Sequence, residues 1–385
     1  MDPNLHFETR AICAGQAPDP TTGSTITPIH QTATFTQEIV GSDQPYQYSR
    51  GANPTRTALE EALASLESAN FGIAFSSGMA AIASVVHLLK TGDNILVADD
   101  LYGGSYRLFS EVLPRHGISI TYFDGSKVSD LKKRIKKSTK LVWLESPTNP
   151  MVRLQDISAC SEVTKKRNIL TVIDNTFASP YFQRPLELGA DVVVHSTTKY
   201  ISGHSDVIGG AVLTNDEEYA NALRTLRTTT GGVPGPWDTW LTLRGLKTLA
   251  VRMRAHEENA FAIAEFLENR PEIEKVYFPG LPNFDGHELA KRQMHGFGGI
   301  VTLDLKGGER AARDLCEKTS LFSLAESLGG VESLIGYPWL MSHAAFSESL
   351  KIKKGISKST VRLSIGLEHA DDLCDDLAQA FSACT

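Results

Sequence analysis

A chain of 385 residues, 41% apolar and 22% charged, can bury sizeable cores in roughly two to three domains. A net charge of −7 is the wrong sign for a general nucleic-acid or membrane-surface binder. The five cysteines (13, 160, 316, 374, 384) lack CxxC spacing and fit free thiols in a reduced compartment better than a disulfide framework or a zinc site. No secretory signal and no apolar run of about 18 residues is apparent, so a cytoplasmic protein without a membrane span is expected.

Residues 1–54, rich in Pro, Thr, Gln and Gly, read as an extended arm, long enough to reach another subunit. A helix is expected over Ala58–Glu67, with Leu59, Leu63 and Leu66 on one face. Ile73–Phe75, Asn94–Ala98, Ile118–Phe123, Lys140–Leu144, Leu170–Ile173 and Asp191–Val194 read as short strands. Helices are expected over Met79–Leu89 and near 104–116, 128–137 and 156–167. Uniformly apolar strands alternating with helices imply a mostly parallel sheet covered on both faces. After the breaker cluster Thr230–Pro236, Trp237–Asn269 reads as one long helix bent near Gly245. Strands at 273–277, 299–305, 321–324 and 361–365, with helices near 308–318 and 370–383, describe a smaller α/β layer. The expected division is an arm (1–54), a large domain (55–247) and a small C-terminal domain (248–385). The basic runs Lys132-Lys133-Arg134 and Lys351 to Lys354 read as solvated faces.

The chemistry concentrates at strand ends. Asp174 closes one apolar strand, and Lys199 follows the next, 25 residues on, after Ser196-Thr197-Thr198. Pyridoxal phosphate needs such a pair: an amine for its aldehyde and an acid to keep its pyridine nitrogen protonated. A carboxylate about 4 Å from that nitrogen is worth roughly 4 kcal/mol at an effective dielectric of 20. Taken singly, a strand-end acid also serves as a helix N-cap, and a lysine as a surface charge. Both at the carboxyl ends of adjacent strands, where α/β sheets bind ligands, point to a site. Ser77-Gly78-Met79 sits at a strand-to-helix turn suited to a phosphate. Ser196 and Thr198 would add hydroxyl donors to the same cup. Tyr102, after another strand, suits stacking on a flat ring or proton transfer, and equally plain packing. Arg50, at the tip of the arm beside Tyr48, suits a phosphate or is a surface charge. Arg362, inside an apolar strand, needs a partner; a substrate carboxylate and a structural ion pair both satisfy that need. No GxxxxGK[ST], HExxH or GxSxG motif occurs, and His204-Ser205-Asp206 has no third ligand spaced to make a metal site.

Several segments in order carry a resemblance over nearly the whole length. They are Tyr48-Ser49-Arg50 with Asn53-Pro54-Thr55, Ser76-Ser77-Gly78-Met79, Asp100-Leu101-Tyr102-Gly103-Gly104 and Glu145-Ser146-Pro147-Thr148-Asn149-Pro150. The Asp174 strand, Ser196 to Lys199 with Gly203-His204-Ser205-Asp206, and Ala325-Glu326-Ser327-Leu328-Gly329-Gly330 complete them. The chain resembles the Cys/Met-metabolism enzymes that depend on pyridoxal phosphate. The resemblance implies a fold-type I, aspartate aminotransferase-like architecture and a homotetramer built from tight dimers. It implies Lys199 as the lysine bonded to the cofactor, Asp174 as the pyridine partner and Tyr102 as the stacking and catalytic tyrosine. Ser77, Gly78, Met79, Thr176, Ser196 and Thr198 would hold the cofactor. Tyr48 and Arg50 would reach the neighbouring subunit's phosphate, while Asn149, Glu326, Ser327 and Arg362 would surround cofactor oxygen and substrate.

Within the family, Gly104 stands where methionine γ-lyases carry cysteine. Glu326 resembles the γ-synthases and γ-lyases that handle cystathionine rather than the bacterial β-lyases. The stretch Ala311 to Leu334 looks especially close to bacterial cystathionine γ-synthases, a step of methionine biosynthesis, and γ-lyases share most of it. The expectation is γ-carbon chemistry in the synthase direction, with the γ-lyase direction as the alternative and β-lyase or methionine γ-lyase behind it. A silent binding protein on the same scaffold is the reading from another class.

Overall fold

The computed structural model describes residues 4–382. Seven strands build the large sheet: β1 (Phe71–Phe75), β2 (Asn94–Ala98), β3 (Ser119–Phe123), β4 (Thr139–Glu145), β5 (Leu170–Asp174), β6 (Val192–His195) and β7 (Gly210–Thr214). Their spatial order is β1-β7-β6-β5-β4-β2-β3. β3, β2, β4, β5 and β6 are mutually parallel, whereas β7 is antiparallel to both its neighbours. Parallel neighbours need crossover connections, and the helices Val128–Arg134 and Ile157–Lys165 lie in them. Alternation along the strands feeds two cores. Val97, Trp143, Val172 and Val194 pack on one face of the sheet; Leu96, Val142 and Ile173 pack on the other. With both faces covered, the strand signal is a plain apolar run, and the parallel-sheet expectation follows from that.

A second sheet orders β10 (Ser323–Leu324), β11 (Leu334–Gly336), β12 (Thr360–Ser364), β9 (Ile300–Leu305) and β8 (Ile273–Tyr277). The helices Leu249–Glu268, Gly308–Lys318 and Ala370–Ser382 share its core with residues such as Phe278, Leu303 and Leu363.

Several expectations change. Trp237–Asn269 is two helices, Pro236–Leu246 and Leu249–Glu268, interrupted at Lys247 and Thr248 rather than bent at Gly245. The helix near 104–116 is α-helical only over Gly103–Arg107 and continues as a wider π turn and a tighter 3-10 turn. The arm carries a helix, Phe7–Cys13, against the Pro54–Leu66 helix, and is otherwise irregular. β7 and the helix Glu217–Thr230 join the expected elements. The basic runs behave differently from each other. Lys132, Lys133 and Arg134 are exposed, but Lys351 and Lys354 are buried. Lys351 Nζ donates to the Trp339 carbonyl at 2.8 Å, so the apolar stem packs while the head finds an acceptor. Cys13, Cys160, Cys316 and Cys374 are free thiols; Cys384 lies outside the described residues. No helix among the described residues is long and apolar enough to cross a membrane.

Candidate active site

A cavity of about 380 Å³ opens at the carboxyl ends of the parallel strands. It gathers Ser77, Gly78, Met79, Tyr102, Asn149, Asp174, Thr176, Ser196, Thr198, Lys199, Glu326, Ser327 and Arg362. Of the site residues that the resemblance implies, Tyr48 and Arg50 lie elsewhere. They line a separate surface hollow with Arg56 and Thr239, and the Arg50 guanidinium lies 5.6 Å from the Tyr48 ring centre.

One wall is the turn from β1 into the helix Gly78–Val86. Ser77 caps that helix, its Oγ accepting from Ala80 N–H at 3.0 Å. The first helical N–H groups have no acceptor within the helix and form the positive end of its dipole. A side chain at position 78 would bring its Cβ to 2.8 Å from Ser196 Cβ, so glycine is needed for the two straps to meet. Ser196 N–H donates to Thr176 Oγ1 at 3.0 Å, and Thr176 donates through Oγ1 and N–H to Asp174 Oδ1 at 2.6 and 3.1 Å. Cup and floor are therefore one hydrogen-bonded unit.

Asp174 is buried, and burial raises its carboxyl above the usual range, against the Thr176 hydrogen bonds. Glu145 ends β4 in register beside it. Burial first, and then the Asp174 charge, push Glu145 well above the ordinary carboxylate range. Glu145 accepts Tyr102 N–H at 2.7 Å on one oxygen and Asn149 N–H at 3.0 Å on the other. It thus ties the strap that carries the half-exposed Tyr102 ring to the loop that carries Asn149. The sequence offered one clue to this role, an acid at a strand end like Asp174.

The opposite wall comes from the second sheet. Lys199 Nζ donates to Ser327 Oγ at 2.7 Å. Burial, and then the Arg362 charge, bring the lysine amine down to about 8, with Glu326 opposing. Ser327 is held at φ 104°, a conformation unfavourable for a non-glycine residue. Arg362 explains why it stays there, because its Nη2 donates to the Ser327 carbonyl at 2.5 Å while Nη1 donates to Asn149 Oδ1 at 2.9 Å. Arg362 is buried, and its Nε is without a hydrogen-bond partner. No carboxylate is within ion-pair distance of it among the described residues. A buried guanidinium held only by neutral oxygens is a seat for an incoming carboxylate.

Two contributors lay outside the sequence reading. Arg107, one turn after Tyr102, lines the cavity. Arg252 does not touch it, but its guanidinium donates to the carbonyls of Tyr200 (2.6 Å), Ile201 (3.3 Å) and Gly245 (2.9 Å) and so fixes the turn leaving Lys199. Neither stands in a local pattern that marks a site.

Pyridoxal phosphate fits these residues. The Gly78 cradle with Ser196 and Thr198 offers donors for a phosphate, and Asp174 is a buried acid able to face a pyridinium. Lys199 is an amine already biased towards its neutral form.

The comparisons agree with that fit. The model of the Cys/Met metabolism PLP-dependent enzyme family matches residues 8–382. The chain is 47% identical to cystathionine beta-lyase of Coxiella burnetii over 97% of each chain. It is 50% identical to cystathionine gamma-synthase of Mycobacterium bovis over 97% of this chain and 96% of that one. The crystal structure of cystathionine gamma-lyase from Lactobacillus plantarum superposes with a TM-score of 0.96 at 42% identity, covering 99% of each chain. The chain belongs to the Cys/Met metabolism PLP-dependent enzymes, with pyridoxal phosphate as its cofactor and the fold of the cystathionine lyases.

Proposed function

We propose that this protein is a cystathionine γ-synthase, joining cysteine to an O-acylhomoserine and releasing the acyl group as a carboxylic acid. The observation that carries this reading is Glu326 at the cavity, next to Ser327 and electrostatically coupled to both Lys199 and Arg362. A γ-replacement brings two amino acids into one cavity, and an acid on the substrate side offers an anchor for the ammonium of the second. The 50% identity to a cystathionine gamma-synthase supports the same choice.

Bound pyridoxal phosphate supplies an electron sink that acidifies the carbons near the substrate's amino group. Asp174 would hold the ring nitrogen and balance its charge. Gly78, Met79, Ser77, Ser196 and Thr198 would hold the phosphate, with Thr176 bracing Asp174 from the side. Lys199 would hold the aldehyde. Its free amine takes the α-proton and serves the β-carbon, a role that an amine near 8 suits at neutral to mildly alkaline pH. Tyr102 would stack on the ring. Arg362 and Asn149 hold the substrate carboxylate, and Ser327 keeps the amine of Lys199 aimed at the reacting carbons. The bond from the γ-carbon to the acyl oxygen breaks, the cysteine sulfur bonds to that carbon in its place, the thiol proton goes with the released carboxylate as the free acid, and Lys199 returns the α-proton.

The arm 1–54 fits a role outside its own chain. Tyr48 and Arg50 complete a neighbouring subunit's phosphate site, in a cytoplasmic homotetramer built from dimers, with a large unit over 55–247 and a small one over 248–385. The γ-lyase direction is the second reading, favoured by the likeness to a γ-lyase structure. The test is product analysis. Purified holoenzyme is incubated with O-succinyl- or O-acetylhomoserine plus cysteine, and separately with cystathionine alone. Cystathionine from the first mixture supports the synthase. 2-Oxobutanoate with cysteine from the second, and nothing from the first, replaces it with the lyase; no product from either overturns both.

A further inference from the structure

Behind the cavity floor, one acid reaches both of the strand ends that build the site. Glu67 closes the helix Pro54–Leu66 and is only 1% exposed. Its Oε1 accepts Asn175 Nδ2–H at 3.0 Å, and its Oε2 lies 3.3 Å from His195 Nε2. A carboxylate accepts, so that ring nitrogen carries the hydrogen, and His195 Nδ1 is left buried without a partner. Asn175 follows Asp174 at the end of β5, and His195 precedes Ser196 at the end of β6. Asp174 and Ser196 line the cavity. Asn175 and His195, both buried, turn instead to Glu67.

The placement is unfavourable by itself. An acid at the end of a helix meets the negative end of its dipole, and burial strips the water that would solvate it. Two donors, one from each strand end, offset those costs. The Asn175 end is fixed further. Its backbone N–H donates to the Val194 carbonyl at 3.0 Å. Its Nδ2 also donates to the Gln183 carbonyl, and its Oδ1 accepts Gln183 Nε2–H, both at 2.8 Å. Gln183 Nε2 donates as well to the Ser146 carbonyl at 2.7 Å, in the loop that leads to Asn149. On the cavity side, Thr176 already joins Asp174 to Ser196. The ends of β5 and β6 are therefore bracketed twice, by Thr176 towards the cavity and by Glu67 behind it.

We propose that Glu67 is a positioning residue: by holding Asn175 and His195 it fixes where Asp174 meets the cofactor's ring nitrogen and where Ser196 meets its phosphate. It rests on Asp174 being the pyridine partner, and it is indifferent to whether the enzyme is synthase or lyase.

The experiment compares, by calorimetry, how tightly the full chain stripped of cofactor binds pyridoxal phosphate and its 1-deaza analogue, which carries carbon in place of the ring nitrogen. The ratio of the two affinities reads the contact between Asp174 and that nitrogen, and a general loss of stability leaves it alone. Glu67→Ala is expected to shrink the ratio about tenfold, the scale of one lost hydrogen bond to a charged group. Glu67→Gln keeps Oε1 for Asn175 and offers an amide N–H, which His195 Nε2 accepts once the ring hydrogen moves to Nδ1. Its ratio is expected to return to within about threefold of the original. A ratio unchanged in Glu67→Ala overturns the proposal, whatever happens to Tm, and so does a Gln variant no better than the Ala variant. Should Glu67→Ala not fold, Glu67→Asp decides, since it keeps the charge but is one methylene too short to span both donors. Its ratio must fall at least about threefold, and no change overturns the proposal. Asp174→Asn run in parallel reports on the reading underneath. A ratio that falls with Asp174→Asn but not with Glu67→Ala overturns the proposal alone; a ratio that ignores Asp174→Asn removes Asp174 as the pyridine partner, and the proposal with it.

Discussion

Lys199 Nζ and Ser327 Oγ lie 2.7 Å apart although 128 residues separate them in the chain. The amine belongs to the large sheet's strap, the hydroxyl to a strained loop that leads into the smaller sheet. The reacting lysine is therefore aimed by both layers at once. Replacing Lys199 with Ala is expected to abolish the cofactor's visible absorbance band and to lower turnover by about 10⁴-fold, the upper range for a placed proton-transfer group. Absorbance and steady-state assays check both; a variant that keeps band and turnover removes Lys199 from the mechanism.

The amine's position predicts a pH profile. Lys199 is brought to about 8 by burial and by Arg362, while Glu326 opposes that fall. Only the neutral amine accepts a proton, so kcat is expected to rise with pH and level off above about 8. Glu326→Gln removes the opposing charge, so the rising limb moves to lower pH. A limb that stays in place, or moves to higher pH, contradicts the assignment of this limb to Lys199. Stability carries the companion sign. Because the folded-state value lies below the ordinary 10.5 of an unfolded lysine, the unfolded chain binds more protons between about 8 and 10.5. The contribution of this group to stability therefore rises with pH through that window.

Much of this arrangement is legible in the sequence, for a physical reason. Strands buried on both faces are uniform apolar runs, so β2 at Asn94–Ala98 stands out with its observed bounds. Polar groups at the ends of such runs, as at Asp174 and Lys199, mark where a ligand can sit. What resists reading depends on distant packing. Lys354 stands in a basic run that looks solvated, yet the fold closes over it. Arg252 is one charge among many on a long helix, and only the folded chain brings three carbonyls to it. β11 spans three residues, too few for a period to register.

Arg362 makes a third prediction. Its Nη groups are committed to Ser327 and Asn149, and its Nε is left for an anion. Arg362→Lys keeps a charge but loses the planar fork, so one charge-assisted bond goes, worth about 1.5–3 kcal/mol. KM for the amino-acid substrate is expected to rise roughly 10- to 100-fold, more than kcat falls. An unchanged KM sinks Arg362 as the carboxylate seat.

The last prediction concerns Gly203 and Arg252, which occupy one space. Gly203 has φ +73°, and a Cβ added there would fall 2.0 Å from Arg252 Nη1. Gly203→Ala therefore carries both backbone strain and overlap with a buried guanidinium that cannot retreat while it holds three carbonyls. A destabilisation of about 2–4 kcal/mol is expected from strain and overpacking together. Arg252→Ala removes the obstacle but orphans the carbonyls, at about 1–3 kcal/mol for each group left buried without a partner. The two losses should not add, because the overlap exists only when the guanidinium is present. In Gly203→Ala/Arg252→Ala the alanine costs only its backbone strain, and the double variant is expected to lie at least about 1 kcal/mol above the sum of the singles. Denaturant unfolding of the holoenzyme measures the cycle, and strict additivity would show that the turn after Lys199 is not held in this way.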